Sequence, residues 1–558
     1  MTKTRNRWIG LVFISMAISL VIIDGTIVNT IFPSVIKSLA LTSTDIQWVQ
    51  ESYVLVFASL LLVWGSLADR FGRRLMLVIG LTVFVLASVW AGTTDSAQAM
   101  ILARIVQGLG GAMVLPTTLS LVNANFQGKE RGIAFAVWGA TIGGMVAIGP
   151  VLGGWLTTVD WQLDLGSVVI ETWRWAFCVN LPLGALVIAG LLYFLNESKQ
   201  AQREGGVDFV GALISVVMFG TLVFGLIEGR VYGWWNQTKN IFAIGNFTWP
   251  ADTVSVIPVS LAVALVFGII FVIWERAREK AHKNVLLDLG LFSIASFRNG
   301  SIAALIISMG EFGLLFAIPL WLQNVSGLNA LSSGMVLLWL AGGAFLASAV
   351  GGALSGRISP VTAVRIGVAL EMIGVLGIAL GANTLNGWQG IAGYLFIYGI
   401  GVGLATAQLT GVIMVDVPMD RIGQASGSQS TVRQVGSALG IAVLGTALFT
   451  STQAAVATNI ESLSVFKGAP TAQVKVVSDS ISNLVVDSAG AILPNLPQFL
   501  VTTGMPENVA TDIQLQAREG FTQGVKATGW FAGGFLALGL LSTFFIGSRR
   551  KKEGKAAK

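Results

Sequence analysis

Residues 65–74 read GSLADRFGRR, a short stretch that closes an apolar run near 47–67 and opens another near 75–93. Two runs of that length, joined by so short a turn, are antiparallel membrane helices, because about 20 residues rising 1.5 Å each cross a hydrocarbon core of roughly 30 Å. Gly65 and Gly72 permit close backbone approach, and Asp69 can accept charge-assisted hydrogen bonds from Arg70, Arg73 or Arg74. Membrane topology alone asks only for the arginines. An acid set between glycines at this spacing asks for a second, functional explanation.

The pattern repeats outward along the chain. Apolar runs fall near 9–36, 47–67, 75–93, 98–124, 131–157, 174–195 and 208–229, and again near 254–275, 299–324, 330–355, 361–381, 388–414, 422–450 and 522–547. The sequence is 54% hydrophobic and only 11% charged, whereas a soluble domain carries roughly 25% charged residues. These runs predict one all-α polytopic membrane unit with fourteen transmembrane helices. The opening MTKTRNRW and the run behind it resemble a signal peptide, but the run is too long and no small-x-small site follows, so it is read as a retained first helix.

Basic residues fix the expected direction. Lys3, Arg5 and Arg7, the groups Arg70/Arg73/Arg74, Lys129/Arg131, Lys199/Arg203, Arg276/Arg278/Lys280/Lys283 and Arg357/Arg365, and the tail from Arg549 to Lys558 all fall on one side if both termini are cytoplasmic. An odd helix number would move half of them outside. Between the spans, residues 232–252 hold Trp234, Trp235 and Trp249, which suit an interfacial belt. Residues 451–521, rich in Ser, Thr, Val and Asn, read either as a flexible external loop or as a folded hairpin over the exit. The stretch WERAREKAHKNVLLDLGLF (274–292) reads as an amphipathic cytoplasmic helix linking two halves.

Several chemistries are excluded by counting. A single cysteine, Cys178, and a single histidine, His282, leave no disulfide framework and little scope for a zinc, haem or imidazole site, and no metal site is expected. Neither a Walker loop nor a HExxH motif is present, which disfavours a membrane-embedded enzyme. The net charge of +6 is spread over helix ends rather than gathered on a module, so nucleic acid is not an expected partner.

Helix interiors carry the remaining motifs. The first run contains IDGTIVNTIFP, with Asp24, Thr26, Asn29 and Pro33; the fourth contains ARIVQGLGGAMVLP, with Arg104, Gln107, Gly108 and Pro116. In the fifth, GATIGGMVAIGPVLGGW places Gly149, Pro150, Gly153 and Gly154, and WRWAFCVNLPLG follows at 173–184. The 65–74 loop resembles the cytoplasmic latch signature of the major facilitator superfamily. With the extra helix pair near 208–275, the motif series resembles the fourteen-helix drug/proton antiporter branch of that superfamily, the multidrug efflux type, and the Gly-Pro motif resembles its antiporter signature. The resemblance implies a major facilitator fold: an N-terminal six-helix lobe (1–200), two inserted helices with the linker (201–298), and a C-terminal six-helix lobe (299–558). It further implies proton-driven efflux of amphipathic, often cationic drugs with no cofactor, in a bacterial inner membrane. A dedicated exporter of one metabolite or lipid-like compound is the alternative. The partners expected are the lipid bilayer, protons and a small-molecule substrate, and the chain is expected as a monomer.

Depth along the helices allows one physical check. Asp24 lies about nine residues, roughly 13 Å, inward of Pro33, and Arg104 about six residues, roughly 9 Å, below the outer start of its helix. A buried acid and a buried arginine at similar depth are tolerable together. They read as a proton-coupling site or as a static ion pair. Asn29 and Gln107 offer neutral hydrogen bonds nearby, for substrate or for helix packing. In the second half, Glu311 is the preferred second proton-coupling and substrate-binding residue, with Phe312, Phe316 and Trp321 offering aromatic faces to a cation or else facing lipid. Arg433 is expected to pair with Glu371 or Asp416. Glu51 and Glu228 are expected at the outer interface. The second-half counterpart of the latch, GGALSGRIS (351–359), keeps Arg357 but puts Gly356 where the acid would stand, which predicts a weaker second latch.

Overall fold

The computed structural model describes residues 2–39, 41, 43–158, 163–164, 169–198, 206–238, 241–244, 247–250, 253–354 and 358–546. Lys199, Arg203, Gly356, Arg357 and the basic tail from Arg549 lie outside the described residues. Every apolar run is helical: α1 (Thr2–Leu39), α2 (Ser43–Phe71), α3 (Arg73–Thr93), α4 (Ala97–Asn125), α5 (Gly128–Thr158), α6 (Trp175–Cys178) running on into α7 (Asn180–Phe194), α8 (Phe209–Tyr232) and α9 (Val256–Lys280). The second half follows with α10 (Ala295–Asn324), α11 (Ala330–Leu354), α12 (Pro360–Gly381), α13 (Gln389–Ile413), α14 (Ile422–Glu461), α15 (Thr471–Asp487), α16 (Leu496–Thr502) and α17 (Glu507–Ser542). Among the described residues, fourteen helical segments are long and apolar enough to cross a membrane, α6 with α7 making the sixth.

Lipid cannot satisfy orphaned backbone groups, so helix starts depend on caps. Ser96 accepts from the Ala99 amide at α4, Asp208 from Gly211 at α8, and Ser359 from Thr362 at α12, where Pro360 occupies the first turn. The helices assemble as two six-helix lobes, α1–α7 and α10–α14 with α17. The lobes meet where α2 packs on α14 and where α5 packs on α11 and α13. The inserted helices α8 and α9 pair with each other, and α8 leans on both α2 and α14.

Three expectations change here. First, the linker is not an amphipathic surface helix. The charged WERAREK segment is the end of α9, and the chain then turns at His282 (φ 55°) into an irregular stretch closed by one 3-10 turn, Leu289–Ser293. Its Leu286, Leu287 and Leu291 bury themselves in the main core, which leaves no apolar stripe for a membrane surface. Second, 451–521 is not a flexible loop. α14 runs on to Glu461 and α17 starts back at Glu507, with α15 and α16 folded between them. Val474, Ile481 and Val485 are buried at spacings of seven and four residues on one face of α15, which packs on α14. This hairpin is anchored at its base, where Asn324 donates to the Ala489 carbonyl and Arg230 donates to the Val486 carbonyl. Third, Glu228 is buried at 1% exposure rather than interfacial, because α8 packs into the lobe seam. The connections after α5 and α8 each carry a two-residue antiparallel strand pair, Leu163–Asp164 with Val169–Ile170 and Ala243–Ile244 with Phe247–Thr248.

Candidate functional site

The first cluster lies inside the N-terminal lobe. Arg104 Nη1 donates to Asp24 Oδ2 at 2.6 Å and to Gln107 Oε1 at 2.7 Å, while Gln107 Nε2 donates to Asp24 Oδ1 at 2.7 Å. Gln107 follows Arg104 by three positions on α4, so one helix face presents both to α1. Asn180 of α7 approaches Asp24 Oδ1 at 3.4 Å and donates to Ser88 Oγ at 2.8 Å. Arg104 Nε reaches the Val49 carbonyl, and its guanidinium lies 4.3 Å from the centre of the Tyr53 ring. Asp24, Arg104 and Gln107 are each at most 2% exposed. Both Asp24 oxygens are therefore occupied by donors, as a buried charge requires. The side chain of Asn29 lies outside the described residues. Asn180 is the member that sequence reasoning did not single out, although an amide inside an apolar run, just before Leu181 and Pro182, was a usable signal.

A second cluster lies inside the C-terminal lobe. Arg433 Nη2 of α14 stands 3.6 Å from Glu311 Oε2 of α10, too far for a good hydrogen bond, and that oxygen has no hydrogen-bond partner in the structure. Beside them is a small cavity of about 10 Å³, room for roughly one water, lined among others by Ser308, Glu311, Thr406, Thr410, Gln429 and Arg433. Glu371 of α12 is fully buried, and neither of its carboxyl oxygens has a hydrogen-bond partner. Its electrostatic neighbours are Glu311 and Arg433. Tyr398 of α13 donates to the Glu311 carbonyl at 2.9 Å. Arg433 thus pairs with Glu311 rather than with Asp416, which is exposed beyond the end of α13.

The aromatic residues near Glu311 do not act as a set. Trp321 is 1% exposed, and its indole donates to Thr522 Oγ1 of α17, so it packs inside the lobe and faces neither a cavity nor lipid. Phe312 is half-buried, and Phe316 makes an edge contact with Phe449 at 6.4 Å between centroids. None of the three lines the cavity.

The 65–74 loop bonds across the seam between the lobes. Asp69 accepts from Arg73 Nη2 at 2.7 Å within its own lobe, and from the Gly423 and Gln424 amides at 2.9 and 3.1 Å across the seam. Those two amides are orphan donors in the first turn of α14, whose own N-cap residue Arg421 provides no side-chain cap. Asp69 therefore caps a helix of the opposite lobe and meets the positive end of its dipole. Close approach is possible because Gly65 lacks a side chain: a Cβ there would stand 2.6 Å from the Gly423 carbonyl oxygen and the Gly427 Cα. Gly72 (φ 120°) lets the chain turn into α3, where Glu197 accepts from the Arg74 and Leu75 amides. Arg74 also donates to the Leu195 carbonyl, and Arg70 is exposed, over Phe71. Glu197 went unnoticed in the sequence because it sits in an ordinary charged loop.

The Gly-Pro motif faces two ways. Gly149 and Gly153 meet Thr26 and Thr30 of α1, and Gly154 meets the backbone of Leu331 on α11, while Gly334 of α11 lies against Pro150 and Val151. α5 is thereby packed on its own lobe and on the other lobe at the end remote from the latch.

A family model described as Major Facilitator Superfamily matches residues 14–441. The chain is 30% identical to the multidrug resistance protein Stp of Mycobacterium tuberculosis, over 80% of this chain and 76% of that protein. It is 31% identical to the probable actinorhodin transporter of Streptomyces coelicolor, over 80% of this chain and 73% of that protein. Among solved structures, the proton:xylose symporter XylE superposes with a TM-score of 0.55 at 10% identity, covering 87% of this chain and 95% of that one, a likeness of fold alone. On the strength of the family match and of these relatives, the chain belongs to the major facilitator superfamily.

Proposed function

We propose that this protein exports amphipathic, cationic compounds across a bacterial inner membrane in exchange for protons, with both termini cytoplasmic. The observation that carries the reading is the Glu311 carboxyl group: buried within a span, its Oε2 without a hydrogen bond, beside Arg433 and a polar cavity. An intramembrane acid so placed is suited to exchanging a proton for a cation, because either one offsets its charge. The complete network around Asp24 instead favours a fixed tie between α1, α4 and α7, with Asp24 and Arg104 acting in coupling only if that network opens. Lobes 1–200 and 299–558 rock about the seam, the 201–298 segment bracing it, and Asp69 closes the cytoplasmic side. The proton gradient is the energy source, no cofactor takes part, the chain acts as a monomer, and it is a transporter rather than an enzyme. The relative named for multidrug resistance supports a broad substrate range.

The second reading, a dedicated exporter of one compound, is favoured by the relative named as an actinorhodin transporter. Everted membrane vesicles energised with a pH gradient separate the two. Accumulation of ethidium and of tetraphenylphosphonium, abolished by nigericin and by Glu311→Gln, is the expected outcome. Uptake of no cation in a panel that also holds neutral lipophiles and anions would overturn the proposal, and uptake of one non-cationic compound would support the dedicated exporter.

A further inference from the structure

Gln424 binds two parts of the molecule at once. Its backbone amide donates to Asp69 of the N-terminal lobe at 3.1 Å, while its side chain grips the linker: Oε1 accepts from the Asp288 amide at 3.2 Å and Nε2 donates to the Val285 carbonyl at 3.3 Å. Three residues earlier, Arg421 pairs with the Asp288 carboxylate. Farther along the linker, the Phe292 ring meets that of Phe297 on α10 edge-on at 5.4 Å. The linker is also fastened to the inserted helices. Glu275 accepts from the Leu286 amide at 3.1 Å, and Arg278 donates to the Asn284 carbonyl at 2.8 Å while lying 3.0 Å from Asp208 at the start of α8. At the other end of α8, Arg230 stands 3.6 Å from the centre of the Phe449 ring of α14 and donates to the Val486 carbonyl of the hairpin.

The inserted pair meets α2 differently. Val223 and Leu226 pack with Ala58, the Phe242 and Trp48 rings lie 6.4 Å apart, and Gly220 approaches Ser59 so closely that a Cβ would stand 3.1 Å from its Oγ. An apolar face of this kind can shift without stranding a donor, whereas the clamp on α14 cannot. We propose that the linker and the inserted helices travel with the C-terminal lobe as one rigid body, clamped at Gln424 and Arg421, and that α8 slides along α2 when the Asp69 bonds to α14 part. Asp288 and the Gln424 side chain are then positioning residues: they hold the first turn of α14, and with it the amides that Asp69 caps, against the inserted pair. The inference rests on the rocking of the two lobes in the exporter reading and assigns the inserted pair to one of them.

The test follows three spin-labelled cysteine pairs by pulsed electron paramagnetic resonance in the full chain, with the single native cysteine replaced by Cys178→Ser. Gln127 reports the N-terminal lobe, Asp416 the C-terminal lobe and Glu279 the inserted pair, and all three are exposed. Opening by Asp69→Asn or by added tetraphenylphosphonium is expected to change the Gln127–Asp416 and Gln127–Glu279 distances together and to leave Glu279–Asp416 as it was. Removing the clamp by Gln424→Ala with Asp288→Ala, which keeps the backbone amide for Asp69, is expected to broaden the Glu279–Asp416 distribution. If that variant does not fold, Asp288→Asn, which removes the charge facing Arg421, replaces it. A Glu279–Asp416 distance that changes while the clamp is intact, or a distribution as narrow without the clamp as with it, would overturn the inference and leave the rocking of the lobes standing. A Gln127–Asp416 distance moved by neither treatment would overturn both.

Discussion

Asp24 and Glu311 are both carboxyl groups buried inside membrane-spanning helices beside an arginine, yet their surroundings differ in kind. Around Asp24, Arg104, Gln107 and Asn180 converge from two helices and fill both oxygens. Around Glu311, the arginine stands back at 3.6 Å, the nearer oxygen is unbonded, and a second acid with no hydrogen bond lies in electrostatic reach. A complete set of partners holds a charge in one state and resists change, because any rearrangement must strand a donor. An incomplete set leaves the group free to trade partners. The difference separates a structural tie from an exchanging site more sharply than the presence of a buried ion pair does.

Breaking the complete set should have the largest effect. Asp24→Ala or Arg104→Ala strands a buried charge and is expected to destabilise the N-terminal lobe by about 3–5 kcal/mol, seen as an earlier melt in detergent. Single variants melting with wild type would put Asp24 in the same class as Glu311. Asp69 belongs with Asp24, since Arg73 and two amides of α14 occupy it. Asp69→Asn is expected to weaken the latched state by about 2 kcal/mol and to reduce transport more than Arg357→Ala, and equal losses would count against a latch carried mainly by the first loop. Trp321→Phe removes the bond to Thr522, worth about 1 kcal/mol, and leaves a cavity where the larger buried ring packed. It should leave the range of exported compounds unchanged, and an altered range would return Trp321 to the substrate path. The smallest stability change is expected for Glu311→Gln, within about 1 kcal/mol of wild type, together with loss of proton-linked transport. A large drop in its melting temperature would erase the distinction between the two sites.

Helix number was legible in the sequence because the apolar period and the placement of arginines are local properties, and so was the meeting of Asp24 with Arg104, since helix rise converts position into depth. The closure of 451–521 was not legible. Its residues are as polar as a loop's, and only the docking of Val474, Ile481 and Val485 on α14 makes them helical. The linker misled for the opposite reason: charge followed by leucines looks amphipathic whether the leucines meet lipid or, as here, the protein core. Trp321 was read as an aromatic face for a cation because sequence cannot tell a ring turned to a cavity from one turned to the neighbouring helix. Glu371 stood in the sequence as a lone acid without a motif, and its place beside Arg433 depends on three helices distant in the chain.

α14 is a single unbroken helix of 40 residues, about 60 Å at 1.5 Å per residue and so nearly twice the ~30 Å of a hydrocarbon core. Its first turn is held by Asp69, its middle carries Arg433, and its far end bears the α15 hairpin. Such a rod works as a lever: a tilt that frees one tip must swing the other, so a binder clamped on the hairpin outside the bilayer should stall the latch on the opposite side without touching it.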